Sequence, residues 1–413
     1  MKQGFLSQYF DGIAFKRLSA VEVNVQRSNQ HEFNGSKALR KLLGENTLNN
    51  YPVTFVWFGD ENEGISEESS VTWYDARANH PTRTEWRLYF RNNHVSESAE
   101  VGDLLIVARR PNKEMYIIIV KADTTFENQL LWLFGVQNDI DFTFNFHFIG
   151  EENDPKIDFA VRYILEELGI EIEEPDSVQL DNILEPYFNK GFPPTKEFSL
   201  LARNSVTDVS SVENPDTALI LWVEKEEKLF KRLERYLVQE KLDKGFSPTG
   251  DTDVEGFLKF SLSVHNRRKS RAGHSLENHI EEVFIQNNIY YSRGKITENR
   301  SRPDFLFPSI ECYNSPSYPT GDLTMLGVKS TCKDRWRQVL SEAERIKNKH
   351  LFTLEPGISE NQIFEMQANK LQLVLPKSLH ETYNTAQQKW LMDLGSFISF
   401  VKERQKTYFA SEF

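Results

Sequence analysis

Arg302-Pro303-Asp304-Phe305-Leu306-Phe307-Pro308 and, further on, Leu323-Thr324-Met325-Leu326-Gly327-Val328-Lys329 are the stretches whose reading decides the fold. Each is a short apolar run, the pattern of a buried strand. One opens on an acid, Asp304, and the other closes on a base, Lys329. If the strands are neighbours, these charges meet at one sheet edge. Beyond Lys329 the period changes. Trp336, Val339, Leu340, Ala343 and Ile346 recur at helical spacing, which predicts a helix over about residues 333–349. Glu342 lies one turn after Val339 and one before Ile346, on the inward side of that helix, facing the strand ends.

Two carboxylates and one lysine are the minimum set for metal-assisted cleavage of a phosphodiester. Carboxylate oxygens hold a hard cation such as Mg²⁺, with waters and substrate phosphate completing the shell. The metal polarises the phosphoryl group and acidifies a bound water, while an ammonium offsets developing charge. Between Lys329 and Glu342 stand Lys333, Asp334 and Arg335, which have the chemistry to read base edges: Lys or Arg to guanine, Asp to the cytosine amino group. A cutting set beside a reading triplet points to a sequence-specific nuclease. The plain alternative is a turn aspartate after a proline and a glutamate on a solvated helix face; the ordered combination weighs against it. Upstream, Ser275-Leu276-Glu277 starts an amphipathic helix with Leu276, Ile280, Val283 and Phe284 as its stripe. Glu277 is a third candidate acid, or simply a complement to the helix dipole.

These residues also carry a resemblance. The run from Ser263 to Glu277, Arg302–Ser309, Val328–Gln338, His350–Leu354 and Leu373–His380 are similar to the catalytic domain of the EcoRII-like family of Type IIE restriction endonucleases, over most of residues 260–385. The resemblance implies a PD-(D/E)XK restriction-endonuclease-like α/β domain that cuts double-stranded DNA with Mg²⁺. The common form of that motif has an acid two places before the lysine. Here Gly327 stands there, and the EcoRII-like variant moves the acid onto the following helix, at Glu342. Carried over, Asp304 and Glu342 are metal ligands, Lys329 the catalytic lysine and Glu277 an accessory acid. Lys333, Asp334 and Arg335 match the triplet that reads outer C:G pairs, as in a CCWGG-like site.

The N-terminal part resembles the same family at Phe15–Ala20 and Pro81–Arg87. The implied fold there is a β-rich DNA-binding pseudobarrel, an effector domain that binds a second target and, unbound, occludes the catalytic domain. The residues offer some independent support. From Thr82 to Arg91, Arg83, Glu85, Arg87, Tyr89 and Arg91 share one strand face and Thr82, Thr84, Trp86, Leu88 and Phe90 the other. Arg83 and Arg87 suit guanine or phosphate, and Glu85 suits cytosine, although pattern alone favours a solvated strand.

At 413 residues the chain exceeds one core and should hold at least two domains. Many short strand-like runs, such as Val53–Phe58, Leu104–Ala108 and Met115–Val120, predict a strand-rich domain over residues 1–172, closed by a helix at 157–168. The proline-bearing stretch 173–194 reads as a linker. Residues 195–413 form the catalytic domain, helical at first (198–203 and 217–242) and ending in a helix at 386–402. Two cysteines make neither a disulfide framework nor a zinc set. No apolar run is long enough to span a membrane, and the start lacks a signal-peptide core, so the expectation is a cytoplasmic, bacterial protein. The net charge of −12 runs against a polyanionic partner, but its distribution matters more. From Lys259 to Leu276 there is no acid, while Arg267, Arg268, Lys269 and Arg271 are basic, enough for phosphate contacts. A two-fold site implies a homodimer, and the family implies a cognate DNA methyltransferase as functional partner. The rival reading is a DNA-binding regulator with an inactive nuclease domain.

Overall fold

The computed structural model describes residues 4–23, 31–59, 64–137, 139–150, 154–173, 177–247 and 253–411. It divides into two compact units, Met1–Ile172 with Pro356–Ile363, and Glu173–Glu355 with Phe364–Phe413.

The first unit is built on strands β1 (Gly12–Arg17), β2 (Glu32–Asn34), β3 (Leu48–Phe58), β4 (Ile65–Asp75), β5 (Trp86–Phe90), β6 (Leu104–Arg109), β7 (Met115–Val120) and β8 (Asn145–Phe148). They form one sheet in the order β2-β5-β4-β3-β7-β6-β1-β8. The β3–β7 pair is parallel and the others antiparallel. Consecutive strand residues point to opposite faces, so an apolar run feeds two cores. Leu104, Ile106 and Ala108 of β6 join Tyr116, Ile118 and Val120 of β7 on one face. Leu105 and Val107 join Met115, Ile117 and Ile119 on the other. The helix Phe159–Glu167 covers the first face with Val161, Ile164 and Leu165. Its N-cap Asp158 accepts from the Val161 N–H at 3.0 Å. The helix Lys37–Leu43 covers the second face with Leu39, Leu42 and Leu43. Within the same unit, Gln129 Nε2 donates to the Pro356 carbonyl at 2.9 Å.

The second unit carries helices Ser177–Leu184, Thr195–Asn204, Pro215–Lys244 and Val254–Gln286 ahead of a five-stranded mixed sheet. Its strands are β9 (Ser292–Arg293), β10 (Phe305–Phe307), β11 (Thr324–Lys329), β12 (Lys349–Thr353) and β13 (Leu371–Val374), in the order β13-β12-β11-β10-β9. β10 is antiparallel to both β9 and β11, whereas β11, β12 and β13 run parallel. Phe284 of the long helix sits edge-on to Phe305 and Phe307 of β10, with ring centroids 5.2 and 5.3 Å away.

Three expectations change here. The stretch 173–194 is not a bare linker. Leu180 and Leu184 of its helix pack with Phe198, Ala202, Leu229, Phe230 and Leu233, because Leu180, Ile183 and Leu184 make a helical stripe that Pro186, Pro193 and Pro194 follow rather than interrupt. Pro175 lies outside the described residues. Ser275 does not start a helix; it is buried mid-way along Val254–Gln286, whose true start is the Asp253 cap accepting from the Gly256 N–H at 2.8 Å. The expected helix at 386–402 is split into Thr385–Gln388 and Leu394–Ser411. Met392 bridges to Val374 between them, and the Leu394 and Gly395 N–H groups donate to Asp216 at 2.9 and 3.0 Å.

Candidate active site

Antiparallel pairing of β10 with β11 sets Phe305 opposite Leu326, which brings Asp304, just ahead of β10, beside the end of β11. Asp304 Oδ2 accepts from the Val328 N–H at 2.6 Å and from Lys329 Nζ at 3.1 Å. Both side chains are mostly buried, at 17% and 12% exposure, so the pair is held rather than solvated. The expected meeting of acid and base is what the strands produce, though at the ends of two interior strands and not at an edge of the sheet.

Glu342 stands on a different element from the expected one. No helix runs over 333–349. Lys333–Arg335 form a turn of 3₁₀ helix and Trp336–Leu340 a short α-helix, after which the chain turns through Ala343 at φ +47° and enters β12 at Lys349. The apolar residues are buried as their spacing suggested, but Ala343 and Ile346 are reached by a turn, not by continued helix. Glu342 thus stands on the turn after the helix, and Lys333, Asp334 and Arg335 on the turn before it. Burial pushes the Glu342 carboxyl up to about 7; Lys329 opposes the rise, Asp304 adds to it and Lys349 opposes it. Glu342 Oε2 is buried and has no hydrogen-bond partner among the described residues. Lys349 donates to the Glu342 backbone carbonyl, which holds the turn in place.

Gly327 accounts for the displaced acid. A Cβ built there would stand 2.8 and 3.0 Å from the two methyl carbons of Val339, closer than carbon atoms pack. Val339 and Trp336 are fully buried over this strand, so position 327 has no room for a carboxylate.

Glu277 lies on the long helix and is occupied by Arg293, whose guanidinium reaches Glu277 Oε2 at 2.9 Å, Glu281 Oε2 at 2.5 Å and Asn278 Oδ1 at 3.0 Å. Arg293 is on β9 opposite Phe305, and the next residue, Gly294, donates its N–H to the Asp304 carbonyl at 3.1 Å. Sequence reasoning missed Arg293 and Glu281. β9 is two residues long, too short for any period to register.

The other nominated residues separate into reachable and committed groups. Arg335 is exposed and Lys333 half-buried, while the Asp334 side chain lies outside the described residues. In the basic stretch, Arg271 is buried; its guanidinium lies 4.2 Å from the centre of the Phe198 ring and 3.8 Å from Glu226. It is a structural cation, not a phosphate contact, because its position falls on the inner face of the helix. Arg268 pairs with Glu234 at 2.5 Å and Arg267 lies over Phe192 at 5.0 Å. The Lys269 side chain lies outside the described residues. In the first unit the strand begins at Trp86, not Thr82, because Asp75 Oδ1 accepts from the Glu85 N–H and closes a loop ahead of it. Arg83 is exposed on that loop. Arg87 pairs with Glu32 and Glu85, each at 2.6 Å, and Arg77 with Glu85 at 2.5 Å, so these charges largely satisfy one another.

The second unit is therefore a mixed α/β domain with a carboxylate–lysine pair at the ends of two interior strands and a second, largely buried carboxylate that feels the charge of both. Residues 230–398 match the family model described as EcoRII C terminal. Over 187 residues the chain is 44% identical to the Type II restriction enzyme EcoRII of Escherichia coli, covering 45% of each protein. The chain thus spans about half the length of the curated relative it matches. Among solved structures, a complex of restriction endonuclease PspGI with substrate DNA aligns with 54% of this chain and 96% of its own, at 15% identity and a TM-score of 0.44. Metal-depleted Ecl18kI in complex with uncleaved, modified DNA aligns with 56% and 85%, at 16% identity and a TM-score of 0.42.

Proposed function

We propose that this chain is a Type II site-specific deoxyribonuclease of the EcoRII kind. It makes double-strand cuts at a short site with outer C:G pairs, CCWGG-like, with Mg²⁺ as cofactor. The observation that carries the reading is the Lys329–Asp304 pair, with the largely buried Glu342 carboxyl near enough to feel both charges. The residues present fit a hard cation. Their donors are carboxylate oxygens, one of them an orphaned buried atom, and Mg²⁺ accepts two carboxylates while keeping waters and phosphate oxygens. Asp304 and Glu342 would hold the cation, which supplies polarisation of the phosphate and a more acidic water. Asp304 also orients the Lys329 ammonium, which offsets charge developing on the phosphate. Glu277, fixed by Arg293, acts as the accessory acid. Lys333, Asp334 and Arg335 read the outer pairs.

The first unit is the effector domain in this reading, a pseudobarrel binding a further copy of the site through Arg83 and its neighbours and restraining catalysis until then. Two chains act together, one for each strand. The rival reading keeps target binding and removes scission, and an intact acid–lysine–acid set weighs against it. Incubation with plasmid and Mg²⁺ separates the two. Lys329→Ala should reduce cleavage by at least a thousand-fold while sparing binding of the mapped site by gel shift. Full activity in that variant would sink the site assignment, and binding without scission by the wild type would favour the rival.

A further inference from the structure

The reading triplet hangs from the catalytic strand by a short tether, residues 330–332, and the middle of the molecule's second sheet holds that tether down. In the parallel β11–β12 pair Lys329 stands opposite Thr353. Two residues past Thr353 comes Glu355, a carboxylate only 4% exposed and absent from any reading of the sequence above. Its Oε2 accepts the backbone N–H of Cys332, the residue directly before Lys333. The Cys332 carbonyl in turn accepts the Arg335 N–H at 2.7 Å, closing the turn. Glu355 is itself fixed from two sides: its N–H donates to Thr353 Oγ1 at 3.2 Å, and its carbonyl accepts from the Tyr383 hydroxyl at 2.7 Å. A buried carboxylate is costly unless its oxygens are well used, and a charge-assisted bond to a backbone N–H is among the stronger ways to use them. The link runs from a fixed strand end, through one carboxylate, to the peptide from which the triplet starts.

We propose that Glu355 is a positioning residue for target discrimination: by clamping the Cys332 peptide it fixes the Lys333–Arg335 turn relative to Lys329, so that correct base contacts and correct placement of the lysine occur together. This rests on the triplet being the reader. A small misplacement of groups that must meet a base edge is expensive, so loosening the clamp should blur the distinction between right and wrong sites more than it slows cutting.

The test uses the full chain with Mg²⁺, a duplex carrying the site mapped from plasmid digestion, and a second duplex with one outer C:G pair changed to T:A. The quantity read is the ratio of their kcat/KM values, in which the fraction of correctly folded enzyme cancels. Glu355→Asp withdraws the carboxylate by one methylene, whereas Glu355→Gln keeps both length and an acceptor oxygen. The ratio should fall at least ten-fold in Glu355→Asp and stay within about three-fold of wild type in Glu355→Gln. An unchanged ratio in the Asp variant, or an equal fall in both, overturns the proposal. Arg335→Ala run alongside isolates the premise. If it leaves the ratio intact, the triplet does not read and both ideas fall; if it lowers the ratio while Glu355→Asp does not, only the clamp falls. Absence of cutting by the wild type overturns the nuclease reading and this inference with it.

Discussion

A glutamic acid whose carboxyl titrates near 7 is half-protonated at neutral pH, and under the proposed function it would have to give up that proton to bind a cation. Burial places Glu342 there, and Asp304 contributes in the same direction. A cation binding to its carboxylate must displace that proton. Affinity therefore strengthens as pH rises through about 7 and levels off above it. Calorimetry with Mg²⁺ or Ca²⁺ should show roughly ten-fold tighter binding at pH 8 than at pH 6, with proton release at the lower pH. Glu342→Gln should weaken binding and flatten this dependence. A pH-independent affinity in the wild type would place the cation elsewhere. Asp304 and Lys329 were legible in the sequence because strand ends are written as abrupt changes from apolar to charged. Glu342 was legible as an inward residue, since Val339 and Ile346 bracket it, but its turn was not. The left-handed backbone at Ala343 follows from β12 starting close by, and nothing local announces it.

At the scale of elements, the sheet of the second unit is sensitive to acid through β12. His350 on that strand packs against Phe397 and Phe400, with ring centroids 5.2 and 5.1 Å away. Burial, helped by Arg404, lowers its pKa to about 4 against a bond to the Met325 carbonyl. The folded value is below the unfolded one of about 6.5. As pH drops from about 6.5 to about 4, the unfolded chain takes up a proton that folded His350 refuses. Stability contributed by this site is thus complete above about 6.5 and lost progressively on the way to 4. The loss amounts to about 3 kcal/mol. His350→Leu should melt less steeply with acid than the wild type over that range, whatever its stability at pH 8. Parallel acid limbs would discount the site. Sequence showed β10 and β11 because apolar runs mark buried strands, whereas β12 entered the reading only as a stretch of family resemblance, with a helix expected up to its first residue. It misjudged the helices wherever length was at stake. The helix to Gln286 begins at Val254, since nothing in 263–274 breaks a helix, and the one expected at 386–402 breaks where Asp216, from a distant helix, captures its N-terminus.

For the whole molecule, the division at Ile172 falls ahead of the 177–184 helix rather than behind it. That helix gives Leu180 and Leu184 to a core made by Phe198, Leu229 and Leu233. A truncation removing residues 1–194 should be less stable than one removing 1–172 by at least about 3 kcal/mol, since each buried leucine lost typically costs 2–5 kcal/mol. Chemical denaturation of the two fragments compares them directly; equal midpoints would show that the helix is dispensable. Any relief of restraint by the first unit is best sought with the longer fragment. The proline-rich composition of 173–194 concealed this core contribution, because prolines beside a helix and prolines in a loop look alike in composition.

The methyl groups of Val339 above Gly327 couple the choice of residue at the two positions. With the acid on strand β11, a small residue would have to stand over it; with valine there, the acid has to live elsewhere. A single substitution at Gly327 meets the valine before it meets a cation, and trimming the valine alone opens a void over the strand. Each layout is thus stable to one change at a time. Placing an acid at position 327 therefore needs two coordinated changes, one at Gly327 and one at Val339.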